Sequence, residues 1–284
     1  MTPRPPPLIG AETLSEALGA ARLRIIDIRY GKDAAAAFER SHIPGAVHSD
    51  YGRDGWRGQA GGVDNIVPPV DHIARLFGDL GIGPDDHVVI VTPAESANHA
   101  GGAARAYWTL KWAGHRDVSI LDGGMRQWLA DPARPVAIGP APRPGGPPYP
   151  VRLDAAGRSD LMATVQALRM KTAALLDARA MSYFVGAEKS ADVLTAGRLP
   201  GALQRNYAEA FDPDSGQLRT TGTLESLYAD VPDGPVINYC NTGHTAALNW
   251  FVLSELLARP EVTLFDGSMS EWALEPGRPI MTGP

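Results

Sequence analysis

Short uninterrupted apolar runs alternate with longer stretches of helical periodicity along this chain. The runs "IID" (Ile25–Asp27), "VVIV" (Val88–Val91) and "SILD" (Ser119–Asp122) are short and rich in β-branched residues, and polar residues do not alternate through them. Such runs predict strands buried on both faces, as in parallel sheets. "TAALNWFVLSELLA" (Thr245–Ala258) is longer, and it places Ala247, Trp250, Phe251, Ser254 and Leu257 or Leu253 on one helical face. Strand and helix signals in alternation predict an α/β fold with a mostly parallel sheet.

The pattern occurs twice. "LRIIDIR" (Leu23–Arg29) matches "ALLDAR" (Ala174–Arg179), and "SHIPGAVHSDY" (Ser41–Tyr51) matches "GRLPGALQRNY" (Gly197–Tyr207). "HVVIVT" (His87–Thr92) matches "GPVINYC" (Gly234–Cys240), and "VSILDGGMRQW" (Val118–Trp128) matches "VTLFDGSMSEW" (Val262–Trp272). Identities in the same order mark a duplication. The period is far too long for a stacked solenoid repeat. Between the copies lies "DPARPVAIGPAPRPGGPPYP" (Asp131–Pro150), with eight prolines and three glycines. It cannot form a helix or a central strand and reads as a semi-rigid linker. The expected organisation is a first domain over 8–130, a linker over 131–150 and a second domain over 151–281.

Composition narrows the function. A net charge of −6 supplies no basic field for nucleic acid or acidic membranes. No apolar stretch approaches the roughly 18 residues of a membrane span, and "MTPRPPPLIG" lacks the apolar core of a signal peptide. The single cysteine cannot form an internal disulfide, so the expected location is cytoplasmic.

That cysteine, Cys240, sits where the "VINY" strand signal ends and the helix signal begins. Ligands of open α/β sheets bind at the carboxyl ends of strands. The intervening Asn241, Thr242, Gly243 and His244 predict a tight loop, with Gly243 permitting a backbone that other residues resist. Such a loop turns successive N–H groups inward as an anion nest, and the helix behind adds its positive end. Both favour a thiolate, making Cys240 a candidate nucleophile rather than a buried structural cysteine. The first copy has Thr92 or Pro93 at this place, so the scaffold does not require a thiol there. The first copy also carries four extra residues in this region, which predicts a longer loop without a nest. Cysteine phosphatases place an arginine six residues after the cysteine, where this chain has Ala246. Cys240 and His244 alone do not make a closed metal site.

The paired D-x-R, PGA and DG(G/S)-M-x-x-W elements, the duplication and the C-terminal cysteine loop together resemble a tandem rhodanese-type sulfurtransferase. The resemblance covers nearly the whole chain outside the termini and linker. It implies two rhodanese-like α/β domains, each a mostly parallel sheet flanked by helices, of which only the second is catalytic. It implies that Cys240 becomes a persulfide, held by N–H groups of Asn241, Thr242, Gly243, His244 and Thr245. The sulfur comes from a donor such as thiosulfate, or 3-mercaptopyruvate as the alternative, and passes to a nucleophile such as cyanide or a small-molecule or protein thiol. No cofactor or metal is implied. The rival of another class is a catalytically silent anion- or sulfur-binding scaffold.

Supporting residues are weighed on the same duplication. Asp177 and Arg179 end a strand in the second copy, as Asp27 and Arg29 do in the first, which favours a structural role such as a buried ion pair. Asp122 and Asp266 read as turn or cap residues before a helix. His244 reads either as a solvated loop residue or as a polar or cationic group beside the thiolate. Arg53 and Arg57 have no basic counterparts after Tyr207; they either serve the active site or are solvated. Family members that use thiosulfate carry basic residues after the cysteine, where this chain has Asn241 and Thr242. Those that use mercaptopyruvate carry Gly–Ser there and an arginine where Tyr183 stands.

Overall fold

The computed structural model describes residues 4–284, and these form two compact units. Unit 1 takes most of the first half of the chain, through Asp154, together with Phe211–Leu218 from the second half. Unit 2 takes most of the second half, together with Gly58–Val67 from the first. Each unit therefore includes one segment borrowed from the other half of the sequence.

Unit 1 begins with β1 (Leu8–Ile9), α1 (Ala11–Ala17), β2 (Leu23–Asp27), α2 (Ala34–Arg40) and β3 (Ala46–His48). The chain then makes an antiparallel hairpin, β4 (Gly58–Ala60) and β5 (Val63–Ile66), which is the segment counted with unit 2. It returns to unit 1 through α3 (Val70–Asp79), β6 (His87–Val91), α4 (Ala97–Trp112), β7 (Val118–Leu121) and α5 (Gly124–Leu129). The sheet order is β1-β7-β6-β2-β3, with every pairing parallel. The chain leaves β2 toward one edge and later returns on its other side as β6, so the strand order reverses between these two strands. Ile25, Val89, Val91 and Leu121 pack from the sheet onto Leu14, Phe38 and Trp128 of the helices.

Unit 2 repeats the plan with fewer elements. They are α6 (Leu161–Met170), β8 (Ala174–Asp177), α7 (Met181–Phe184), β9 (Leu203–Gln204), a 3-10 turn (Tyr207–Ala210) and α8 (Thr221–Leu227). Then follow β10 (Val236–Tyr239), α9 (Ala246–Phe251), a π turn (Val252–Leu256), β11 (Val262–Leu264) and α10 (Ser268–Trp272). The sheet order is β11-β10-β8-β9, again all parallel. The long helix expected over 245–258 is thus a short α-helix that widens into a π turn.

The Pro/Gly-rich segment after α5 has no regular element, yet it is not a free spacer. Its backbone is tied to unit 1 at His42–Ala137, Glu39–Gly139, Asp79–Gly145 and Ala74–Tyr149. Its opening also belongs to the repeat. Trp128 Nε1 donates to Pro135 O at 3.0 Å, and Trp272 Nε1 donates to Pro279 O at 3.1 Å. Arg134 and Arg278 each clamp the carbonyls at the end of the preceding helix. Among the described residues no helix is long and apolar enough to cross a membrane.

Candidate active site

Register fixes the twin of the cysteine. Tyr239 pairs with Asp177 across β10 and β8, as Val91 pairs with Asp27 across β6 and β2. The residues that follow are therefore Cys240 and Thr92. The carbonyl of each accepts the N–H of the methionine in its DG(G/S)M turn, Met269 at 3.1 Å and Met125 at 2.8 Å. Pro93 is then the counterpart of Asn241.

Cys240 lies at the carboxyl end of β10, beside that of β8, and is 2% exposed. The following loop turns at Gly243, whose φ of +69° lies in the left-handed region that glycine accepts without penalty. Thr242 and Gly243 are buried, and Asn241, His244 and Thr245 are half-buried. The N–H groups of Asn241 and Thr242 find no hydrogen-bond acceptor among the described residues. Buried N–H groups are normally paired, so unpaired ones around a nucleophile are an anion-binding feature. α9 has six residues, under two turns, before it widens into the π turn, and the unpaired N–H groups belong to the loop that precedes it.

The expected longer loop in the first copy is not present. α4 starts at Ala97, soon after Thr92, and α9 starts at Ala246, at a similar distance from Cys240. The extra residues lengthen α4, which runs to Trp112. What separates the loops is chemistry. Pro93 has no N–H, and the left-handed turn falls on Ala94 (φ +58°), two residues after Thr92, instead of on a glycine three residues on, as at Gly243.

Asp177 and Arg179 form a buried ion pair beneath the loop. Arg179 Nε and Nη2 donate to Asp177 at 2.8 and 2.5 Å, and the Arg179 backbone N–H adds a third bond at 3.0 Å. Arg179 also reaches outward: Nη1 donates to Asn241 Oδ1 at 3.2 Å and Nη2 to Gly197 O at 2.8 Å. Burial opposes the guanidinium charge. The Asp177 hydrogen bonds and carboxylate, with Tyr239 and Cys240 contributing, outweigh it and hold Arg179 above its ordinary value. Arg179 is thus a fixed cation that anchors the loop from below. Tyr239 is fully buried; burial first, then the Asp177 charge, pushes its phenol far up, so it stays neutral.

Sequence reasoning missed Ser268. Its Oγ accepts the Cys240 N–H at 3.1 Å and donates to Phe265 O at 2.8 Å. Ser268 holds a φ of +50°, strained for a residue with a side chain. Its twin is Gly124, φ +46°, where a Cβ would meet Thr92 O at 2.1 Å. The Gly-to-Ser difference between the two DG(G/S)M motifs was the available signal.

Asp122 and Asp266 are not helix caps; each is a buried or half-buried carboxylate that ties down its unit's borrowed segment. Asp122 accepts the Leu218 N–H at 2.9 Å and Gln217 Nε2 at 3.2 Å. Asp266 accepts the Val67 N–H at 2.9 Å and Arg158 Nε at 2.8 Å. The glycines that follow them, Gly123 and Gly267, take the capping positions.

The remaining candidates stand apart. Tyr183 is half-buried on α7, and its hydroxyl has no hydrogen-bond partner among the described residues. Arg53 and Arg57 belong to unit 1. Arg53 is solvated near Asp50, whereas Arg57 is stacked over the Tyr51 ring, 4.8 Å from its centroid. Among the described residues no cluster of three or more His, Cys, Asp or Glu could hold a metal.

The two copies match the rhodanese-like domain family over residues 10–131 and 161–275. A thiosulfate sulfurtransferase of Corynebacterium glutamicum is 30% identical over 98% of this chain and 91% of its own. The human 3-mercaptopyruvate sulfurtransferase is 29% identical over 93% of this chain and 91% of its own. The crystal structure of SseA from Escherichia coli, titled for the rhodanese fold and mechanism of 3-mercaptopyruvate sulfotransferases, superposes with a TM-score of 0.80. It shares 28% identity and covers 93% of this chain and 99% of that one. With two family domains in tandem, a parallel sheet in each and one cysteine loop at a sheet's carboxyl edge, the chain belongs to the rhodanese family.

Proposed function

We propose that this chain is a sulfurtransferase in which Cys240 carries the sulfur. The observation that carries the reading is the asymmetry of the copies. The second holds the only cysteine, in a loop whose Asn241 and Thr242 N–H groups lack acceptors, over the buried Arg179 cation. The first has Thr92 in place of the thiol, and Pro93, which has no N–H, in place of Asn241.

The Cys240 thiolate attacks the outer sulfur of a donor such as thiosulfate. An S–S bond forms at Cys240, the donor's S–S bond breaks, and its electron pair leaves with sulfite. The persulfide anion is held by the loop N–H groups, which are already in place and need no reorganisation. A nucleophile, cyanide in the assay or a small or protein thiol in the cell, attacks the outer sulfur, and the electron pair returns to Cys240. 3-Mercaptopyruvate is the alternative donor; Cys240 attacks its sulfur, the C–S bond breaks, and the electron pair leaves on carbon as the pyruvate enolate, which takes up the proton given up by the donor thiol. Small sulfur compounds are the substrates, the cytoplasm is the proposed location, and the first copy is a non-catalytic partner domain.

Asn241 and Thr242 supply no charge; the cation tied to the loop is Arg179, through its bond to Asn241. His244 is proposed to meet donor charge, and Tyr183, Arg53 and Arg57 to have lesser roles. The test is thiocyanate formation from thiosulfate and cyanide. The expected result is turnover that Cys240→Ser abolishes with circular dichroism unchanged. Turnover persisting in that variant would reject the cysteine mechanism, and no turnover with either donor in the intact protein would favour the silent scaffold.

A further inference from the structure

Unit 1 keeps the crevice although it lacks the cysteine. A cavity of about 920 Å3 opens at the carboxyl ends of β2 and β6, where the strand order reverses. This is the place where open α/β sheets bind ligands. The volume lies in the range of small-molecule sites, roughly 300–1,000 Å3, and well beyond what an inorganic ion fills.

One wall holds a donor without an acceptor. Arg29 is 7% exposed and lines the cavity. Its Nε and Nη2 bind Asp27 at 2.8 and 2.5 Å. Its twin Arg179 makes two further bonds, to Asn241 Oδ1 and Gly197 O. Arg29 makes neither: Pro93, which stands for Asn241, has no side-chain acceptor, and Arg29 makes no bond to the carbonyl of Ser41, which stands for Gly197. Arg29 Nη1 has no hydrogen-bond acceptor among the described residues. Ser41 also lines the cavity, although its Oγ is itself sealed from solvent. The Nη1 edge of Arg29 is therefore the donor for which the chain supplies no acceptor.

The surrounding charge and shape define that acceptor. Lys32 and Arg40 add cations at the opening, faced by Asp33 and Glu95. Arg126 is also in the lining, with its guanidinium donating to the carbonyls of Pro213 and Asp214. Counting Asp27 against Arg29, one positive charge is in excess. Burial holds His99 below the usual histidine range, so it adds no charge at neutral pH. The opposite wall is apolar: Ala34 and Ala37 of α2, Met125 and Leu129 of α5. A guanidinium edge matches a carboxylate, and the apolar wall matches a hydrocarbon body. We propose that this cavity binds a small organic carboxylate, its oxygens on the Nη1 edge of Arg29 and its carbon chain against α2 and α5. The proposal stands on unit 1 alone and is independent of the chemistry at Cys240.

Calorimetry of the full chain carrying Cys240→Ser tests it, with hexanoate as the probe and hexanol and sulfate as comparators. The expected result is one saturable hexanoate site with Kd about 1 mM or tighter, and both comparators at least ~10-fold weaker. Ala37→Phe, which fills the cavity without replacing a member of the Asp27–Arg29 pair, should weaken hexanoate at least ~10-fold. The same substitution placed in the Cys240 protein should leave thiosulfate-to-cyanide turnover within ~2-fold, about 0.4 kcal/mol in barrier. Absence of saturable hexanoate binding, sulfate binding as tightly as hexanoate, or undiminished binding in Ala37→Phe each overturns the proposal.

Discussion

Ser268 and Gly124 occupy one place in two copies of a loop, and the difference between them reaches the thiol. Ser268 accepts strain at φ +50° and in return fixes the Cys240 N–H on its hydroxyl. Strain of this kind costs about 1–3 kcal/mol. Ser268→Gly relieves it and loses two hydrogen bonds, each worth about 1 kcal/mol. The expected outcome is a melting temperature within a few degrees of the parent and turnover reduced ~10-fold. Ser268→Ala keeps the strain and loses the same bonds, so it should be the less stable of the two by about 1 kcal/mol. Thermal unfolding and the thiocyanate assay read both effects; Ser268→Ala at parental turnover would show that the hydroxyl does not position Cys240. The second residue-scale expectation concerns Thr92. Thr92→Cys in the Cys240→Ser background should stay silent, since Pro93 withholds the N–H that Asn241 offers. Thiocyanate production in that variant would show that the Asn241 donor is dispensable. Cys240 and its loop were legible in the sequence because the duplication supplies an internal control without a thiol. Ser268 lies 28 residues on, and its bond to Cys240 closes only when β10 and β11 pair, so only the Gly-to-Ser difference hinted at it.

Among the elements, the buried strands were the readable part. β2, β6, β7, β8, β10 and β11 are short apolar runs that no helix of useful length could use. β1 is two residues long, and the β4–β5 hairpin is rich in glycine, so neither carries a pattern. The role of the DG aspartates was unreadable for a different reason. Asp122 and Asp266 meet partners 96 and 199 residues away in sequence, and nothing local reports such a bond. In unit 2 the single Asp266 carboxylate holds both the Val67 N–H and Arg158. Asp266→Ala should leave the Arg158 cation without that carboxylate and release the end of β5. We expect a loss of about 2–4 kcal/mol. Amide exchange should rise selectively in residues 58–67 while β8 and β10 remain protected. Exchange rising equally across unit 2 would mean that the carboxylate supports the sheet itself rather than the borrowed hairpin.

At the scale of the whole molecule, the histidines are unevenly shared: six precede residue 116, and His244 alone follows. Three of the six, His115 buried and His87 and His99 half-buried, lie in unit 1 and are held below the ordinary histidine range. Burial is the main cause for His87, His99 and His115, with Asp117, Glu95 and Asp86 acting in the opposite direction. His115 is locked at both ring nitrogens, to Tyr149 Oη and to Asp86 O at 3.0 Å each. A group whose folded value is depressed contributes stability that is complete above its unfolded value, about 6.5 for histidine. That stability is lost as pH falls below this value, because the unfolded chain takes up the proton first. The buried carboxyls act oppositely. Burial raises Asp122 in unit 1 and Glu271 in unit 2, so each favours the folded chain as pH falls through the carboxyl range, and they occur one to a unit. Between pH 6.5 and about 5 the histidine effect is therefore the one that differs between units. Acidification over that window should reduce amide-exchange protection of β6 and β7 before that of β10 and β11. Replacing His115 by Gln, which keeps a polar side chain but cannot titrate, should flatten the response of β6. Equal loss of protection in both units, or first loss in β10, would show that these three histidines of unit 1 do not set the acid limit of the fold.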